Sequence, residues 1–82
     1  MTRYLVEAYS SRASDSGELE ARAREAAEAV AASGTPIRHL TSIHVPDDEI
    51  SFHLFEADSA DSVRLVNERA DITAQRIVEA GS

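Results

Sequence analysis

Eighty-two residues make one domain, expected to span residues 1–82, and a chain of this size buries only about 60 % of the surface its unfolded form exposes. There is no cysteine, so neither disulfides nor thiolate metal clusters supplement so small a core, and association with a second copy is the expected remedy. Fifteen acidic against eight basic residues give a net charge of −7, which repels a phosphate backbone and an anionic membrane surface and argues against nucleic acid and membrane as partners.

Residues 3–9 alternate, with Tyr4, Val6 and Ala8 on one side and Leu5, Glu7 and Tyr9 on the other, the period of a β-strand. The alternation begins without the apolar stretch or cleavage site of a leader, and no later stretch has the apolar length of a membrane span; a cytoplasmic location is expected. Asp15 followed by Glu18 marks a helix start, because the Asp side chain can accept from a free backbone N–H of the first turn. Leu19, Ala23, Ala26, Ala27 and Val30 then recur at the spacing of one helical face. Gly34, able to turn left-handed, and Pro36 end the helix.

Residues 37–45 alternate again, Pro46-Asp47-Asp48-Glu49 makes a turn, and residues 50–56 return as the second arm of a hairpin. Setting Val45 opposite Ile50 puts Ile43 against Phe52 and Thr41 against Leu54, an apolar face expected to cover the helices. The other face carries Leu40, Ser42, His44, Ser51, His53 and Phe55 and is expected to lie uncovered. Asp58-Ser59 opens a second helix with Ala60, Val63, Val66 and Ala70 inward, running to about Arg69, and a last strand follows at residues 76–80. The order βαββαβ predicts an α+β domain, a ferredoxin-like sandwich of a four-stranded antiparallel sheet with two helices on one face, of the dimeric α+β barrel type.

On that uncovered face Glu7, Tyr9, Leu40, His44, His53 and Phe55 form the candidate ligand-binding surface. His44 and His53 are diagonal neighbours in this register, roughly 7–8 Å apart. With Glu7, which points to the same side, they make the nitrogen and oxygen donor set that suits a divalent transition metal. The structural alternative is that both histidines are half-buried and satisfied by Ser42, Ser51 or a partner subunit. His39, on the apolar face near the start of its strand, reads as an edge or capping histidine. Tyr9, Glu7 and the histidines also form a set of proton-transfer groups beside an apolar wall of Leu40 and Phe55, although Glu7 can instead pair with Arg76 or Arg38. Nucleophile-elbow and phosphate-loop motifs are missing. Three functions therefore stay open: a small dimeric protein that binds a small ligand or divalent metal, a cofactor-independent enzyme of monooxygenase or isomerase type acting on a small metabolite, and an accessory dimer without ligand.

The segment from Phe52-His53-Leu54-Phe55-Glu56-Ala57 through Asp58-Ser59-Ala60-Asp61-Ser62-Val63, the run Asn67-Glu68-Arg69-Ala70, and Tyr4-Leu5-Val6-Glu7 together resemble the DUF4242 family of short bacterial proteins. The resemblance spans nearly the whole chain. It implies a ferredoxin-like homodimer and, because the family includes a nickel-binding protein, nickel as a cofactor. Metal-binding members are expected to place histidines beside the Glu-Arg-Ala run and near the end of the first strand. Here those neighbourhoods read Asn67, Asp71-Ile72 and Glu7-Ala8-Tyr9, so Glu68 and Arg69 alone carry over.

Overall fold

An amphipathic helix faced with alanine can lie close to a flat apolar surface, and the computed structural model, which describes residues 1–81, supplies one as an antiparallel sheet. The elements in chain order are β1 (Thr2–Tyr9), α1 (Ser16–Ala32), β2 (Ile37–Val45), a short 3-10 turn (Pro46–Asp48), β3 (Ile50–Ala57), α2 (Ala60–Arg69) and β4 (Ala74–Glu79). The sheet order is β2-β3-β1-β4, which makes β3 and β1 the inner strands and leaves β2 and β4 as edges. This is the ferredoxin-like α+β arrangement that the element pattern predicts.

Short-range chemistry sets the boundaries. The Asp15 carboxylate accepts from the Glu18 backbone N–H at 3.1 Å and starts α1, while Gly34 adopts φ 106° just past its end, a conformation that a side chain would strain. Ser59 caps α2 by accepting from the Ser62 N–H at 3.3 Å. Glu49, at φ 52°, completes the reversal between β2 and β3.

The core lies between the helices and one sheet face. Val6 and Ala8 of β1, Ile37 of β2, and Phe55 and Ala57 of β3 pack with Ala23, Ala26, Ala27 and Val30 of α1 and Val63 and Val66 of α2. Two features of this packing decide where a site can form. First, β2 and β3 pair as expected, Val45 with Ile50, Ile43 with Phe52 and Thr41 with Leu54, but the faces are the reverse of the expectation. Ser51, His53, Phe55 and Ala57 are buried under the helices, and the Ile43, Phe52 and Leu54 face is the open one. Second, the β2 ladder slips between His39 and Thr41. This bulge absorbs Leu40 and puts Ile37, His39, Ser42 and His44 on the same side, which strict alternation forbids.

The reason for the reversal is steric. Alanines at 23, 26 and 27 hold the α1 backbone near the sheet, so the strand residues beneath must be short or flat: Ala8, Ser51, Ala57 and the ring of His53 fit there. Larger aliphatic side chains would overfill this interface. The polar groups so buried are compensated by hydrogen bonds to one another, as follows.

Candidate functional site

The six residues expected to share an uncovered face are divided by the sheet. In the β1–β3 ladder Val6 faces His53 and Ala8 faces Ser51, whereas Glu7 faces Phe52 and Tyr9 faces Ile50. Glu7 and Tyr9 therefore stand on the open side, while His44, His53 and Phe55 lie on the helix side and Leu40 sits half-buried at the bulge. The premise of a common surface is corrected: a two-residue period puts Glu7 and His53 on opposite faces once Val6 pairs with His53.

On the helix side a buried polar chain runs across three strand positions. His39 Nε2 lies 2.9 Å from Ser42 Oγ, Ser42 Oγ lies 2.7 Å from His53 Nδ1, and His53 Nε2 lies 3.0 Å from Ser51 Oγ. His53 is 0 % exposed. Burial, with the neighbouring positive groups of His39 and Arg22 adding to it, lowers its pKa from 6.5 to about 4, so the ring is neutral at physiological pH. A neutral imidazole has one donor and one acceptor nitrogen; one serine must donate to the ring and the other accept from it. His39 is also shifted down by burial, and its ring stacks edge-on against Phe55 at 5.5 Å. Thus the satisfied-histidine alternative describes His53, and His39, half-buried on the edge strand β2, is the outer end of the same network. The cause is Leu40: an extra residue in β2 rotates His39 and Ser42 to one side.

Three polar atoms are buried without a partner among the described residues: Ser10 Oγ, His44 Nε2 and Asn67 Oδ1. Ser10 closes β1, and its backbone N–H donates to Glu49 O at 3.0 Å. Arg22 of α1 reaches over the end of the sheet to donate through Nε to Ala70 O at 3.0 Å and through Nη2 to Asp71 O at 2.8 Å.

The open side is organised in tiers across the strands. Val45, Ile50 and Tyr9 form one, Ile43, Phe52, Glu7 and Arg76 the next, Thr41, Leu54, Leu5 and Val78 the third, and Arg38, Glu56 and Arg3 the last. Arg38, a considered partner for Glu7, is instead bonded to Glu56, which also holds Arg3 at 3.4 Å. These bonds, Arg38's first, lower the Glu56 pKa. Tyr9 donates to Glu49 at 3.2 Å, and that hydrogen bond raises the phenol's pKa. Charged groups thus cluster at the two ends of an otherwise apolar surface, except for Glu7 and Arg76 in its middle.

A family model described as nickel responsive protein SCO4226-like matches residues 4–80. The chain belongs to that family. No curated protein matches it. Among solved structures, the crystal structure of SCO4226 from Streptomyces coelicolor A3(2) superposes with a TM-score of 0.78 at 24 % identity, covering 98 % of this chain and 96 % of that one. That likeness supports the fold.

The family's name raises nickel, and the donor set can be tested against it. Of the expected ligands His44, His53 and Glu7, the carboxylate is on the far side of the sheet, both ring nitrogens of His53 are held by serines, and only His44 Nε2 has a free position. No group of three or more His, Cys, Asp or Glu is placed to hold an ion among the described residues. The permanent charge that acts on His53 is the Arg22 guanidinium, opposite to what a divalent ion needs. The residues of one protomer do not fit nickel. Accordingly, titrating chelator-treated protein with nickel is expected to leave the melting temperature unchanged. A stoichiometric isotherm with a raised melting temperature would overturn this.

Proposed function

We propose that the protein is a small homodimeric binding protein in which two copies close their open sheet faces on each other, with a small ligand held between them near Glu7 and Tyr9. The observation that carries this reading is the open face itself. Leu5, Ile43, Val45, Ile50, Phe52, Leu54 and Val78 stand on one side of the sheet, with both helices on the other. Ile43 is 58 % exposed in the protomer. A contiguous apolar surface of this kind marks an association site, and a chain of 82 residues has little core of its own to spare.

A second copy suits the surface better than a strongly charged partner. A second copy packed about a two-fold axis would bury apolar tiers against apolar tiers, and the Arg3–Glu56–Arg38 cluster at the rim carries both signs. Glu7 and Arg76, paired in register across β1 and β4, would then be desolvated inside the interface, where two polar groups among aliphatic ones are the natural anchor for a small molecule. The absence of cysteine suits a reducing cytoplasm. Among the described residues no helix is long and apolar enough to cross a membrane.

Sedimentation of the wild-type chain and of Ile43→Asp tests the proposal. The wild type should sediment as a dimer, and I43D, whose side chain touches solvent in the single protomer, should keep its circular dichroism yet dissociate at least about a hundredfold more readily, the size expected for a desolvated interface position. A wild type that is monomeric at micromolar concentration, or an I43D variant that remains as dimeric as the wild type, would reject it.

A further inference from the structure

The helix side of the sheet holds a second feature that the dimer reading does not use. A cleft of about 290 Å³ opens at the end of β1, between the first turns of α1 and the α2–β4 turn. Its lining includes Tyr9, Ser10, Ser14, Ser51, Arg22 and Asp71. Ser10 is 4 % exposed and its hydroxyl has no partner among the described residues. Ser51 is 1 % exposed, and its hydroxyl is the terminus of the His39–Ser42–His53–Ser51 chain. Arg22 commits Nε and Nη2 to backbone carbonyls, which fixes the guanidinium at the mouth and leaves Nη1 uncommitted.

We propose that this cleft is a binding site for a small carboxylate, with the Ser10 and Ser51 hydroxyls and the Arg22 guanidinium as its recognising groups. A buried hydroxyl with nothing to bond costs free energy, and a ligand oxygen reached by Ser10 removes that cost. Arg22 supplies the one fixed positive charge of the lining, and a carboxylate accepts from hydroxyls and guanidinium alike. Asp71 also lines the cleft and brings one opposing charge, with Arg22 bonded to its backbone carbonyl and standing beside it. The cleft, with Tyr9 as the one aromatic residue of its lining, is too small for a large metabolite.

The buried chain gives the site a defined response. When Ser51 donates its only proton to a carboxylate, it can no longer donate to His53 and must accept from Nε2–H. A neutral ring protonated at Nε2 then accepts at Nδ1, so Ser42 donates to His53 and accepts from His39 Nε2–H. Occupancy of the cleft therefore selects one tautomer of His53 and one direction of the whole chain. Tyr9 also lines the cleft, so the cleft adjoins the open face at the end of β1; Ser10, Ser51 and His53, which the dimer face does not contain, are the groups that report its occupancy.

The test is a nuclear magnetic resonance titration of the full chain with glycolate, using glycolamide as the uncharged control. Glycolate should shift the Ser10 and Ser51 amides saturably, move the His53 ring nitrogens to the Nε2–H pattern, and bind about tenfold more tightly than glycolamide. Ser10→Ala should fold with an unchanged or higher melting temperature and bind glycolate about tenfold more weakly. Arg22→Gln, assayed alongside, should abolish the preference for glycolate over glycolamide. No saturable shift, shifts that map elsewhere, equal affinity for the two probes, or wild-type affinity in S10A would each overturn the assignment.

Discussion

Lowering the pH from 6.5 to about 4 is expected to reduce the unfolding free energy by on the order of 3 kcal/mol through His53 alone. The folded-state pKa is depressed, so above pH 6.5 the ring is neutral in both folded and unfolded chains and its contribution is complete. Between 6.5 and about 4 the unfolded chain takes up a proton that the folded one refuses, and stability falls with each step of acid. His39, on the far side of Ser42 and also depressed by burial, adds to the loss in the same direction. The groups facing this pair are Arg22, Glu20 and Arg24. Of these Arg22 and Arg24 oppose protonation and Glu20 favours it, so burial remains the main cause.

Carboxylates act in a lower window. Glu56 has its pKa lowered by Arg38 and Arg3, so its contribution is present at neutral pH and disappears only as pH falls through a value below the ordinary 4.5. Urea midpoints measured between pH 7 and 5 therefore report the histidines rather than Glu56. His53→Gln, which keeps an amide for the serines and removes the titration, should start less stable but show a much flatter pH dependence in that interval. A wild-type midpoint that stays level down to pH 5 would show that the ring is not held neutral.

The elements were legible from local chemistry because each is set by residues adjacent in sequence. Asp15 and Ser59 cap the helices that their spacing announces, Gly34 takes the left-handed turn, and the pairing of Ile43 with Phe52 follows from the hairpin turn. What residue type did not reveal is which face of the hairpin meets the helices. Size suggested Ile43, Phe52 and Leu54, and it misled, because packing depends on the facing helix: an alanine-lined α1 takes Ser51 and His53, with Phe55 as the one large ring. The bulge at Leu40 carries no signature in a stretch that reads as continuous alternation. The candidate site inherited both errors, uniting Glu7 and Tyr9 with histidines that the sheet separates from them. Its histidines are nonetheless joined to serines, since Ser42 and Ser51 were placed beside His53 by the same register.

Phe55 and Phe52 lie on opposite sides of one strand, and the contrast between their alanine variants gives the sharpest expected difference in the molecule. Phe55 is fully buried and edges against His39; Phe55→Ala leaves a cavity beneath α2 and α1 and should cost about 3–5 kcal/mol. Set against a total of roughly 5–15 kcal/mol for an ordinary domain, and less for one this small, that loss should leave much of the population unfolded at room temperature. Phe52, half-exposed on the open side, has no second layer within its own chain, so Phe52→Ala should change the stability of the dilute protomer by less than about 1 kcal/mol. Its effect belongs to association, on the order of 2 kcal/mol if it stands at the centre of the interface. The two contributions separate by concentration, because a dimer stabilises its folded chains by mass action and a monomer does not. Phe52→Ala should approach wild-type stability on dilution, while Phe55→Ala should remain unstable at every concentration. If Phe52→Ala stayed as unstable as Phe55→Ala at high dilution, the open face would be part of the protomer's own core and the association it explains would have to be given up.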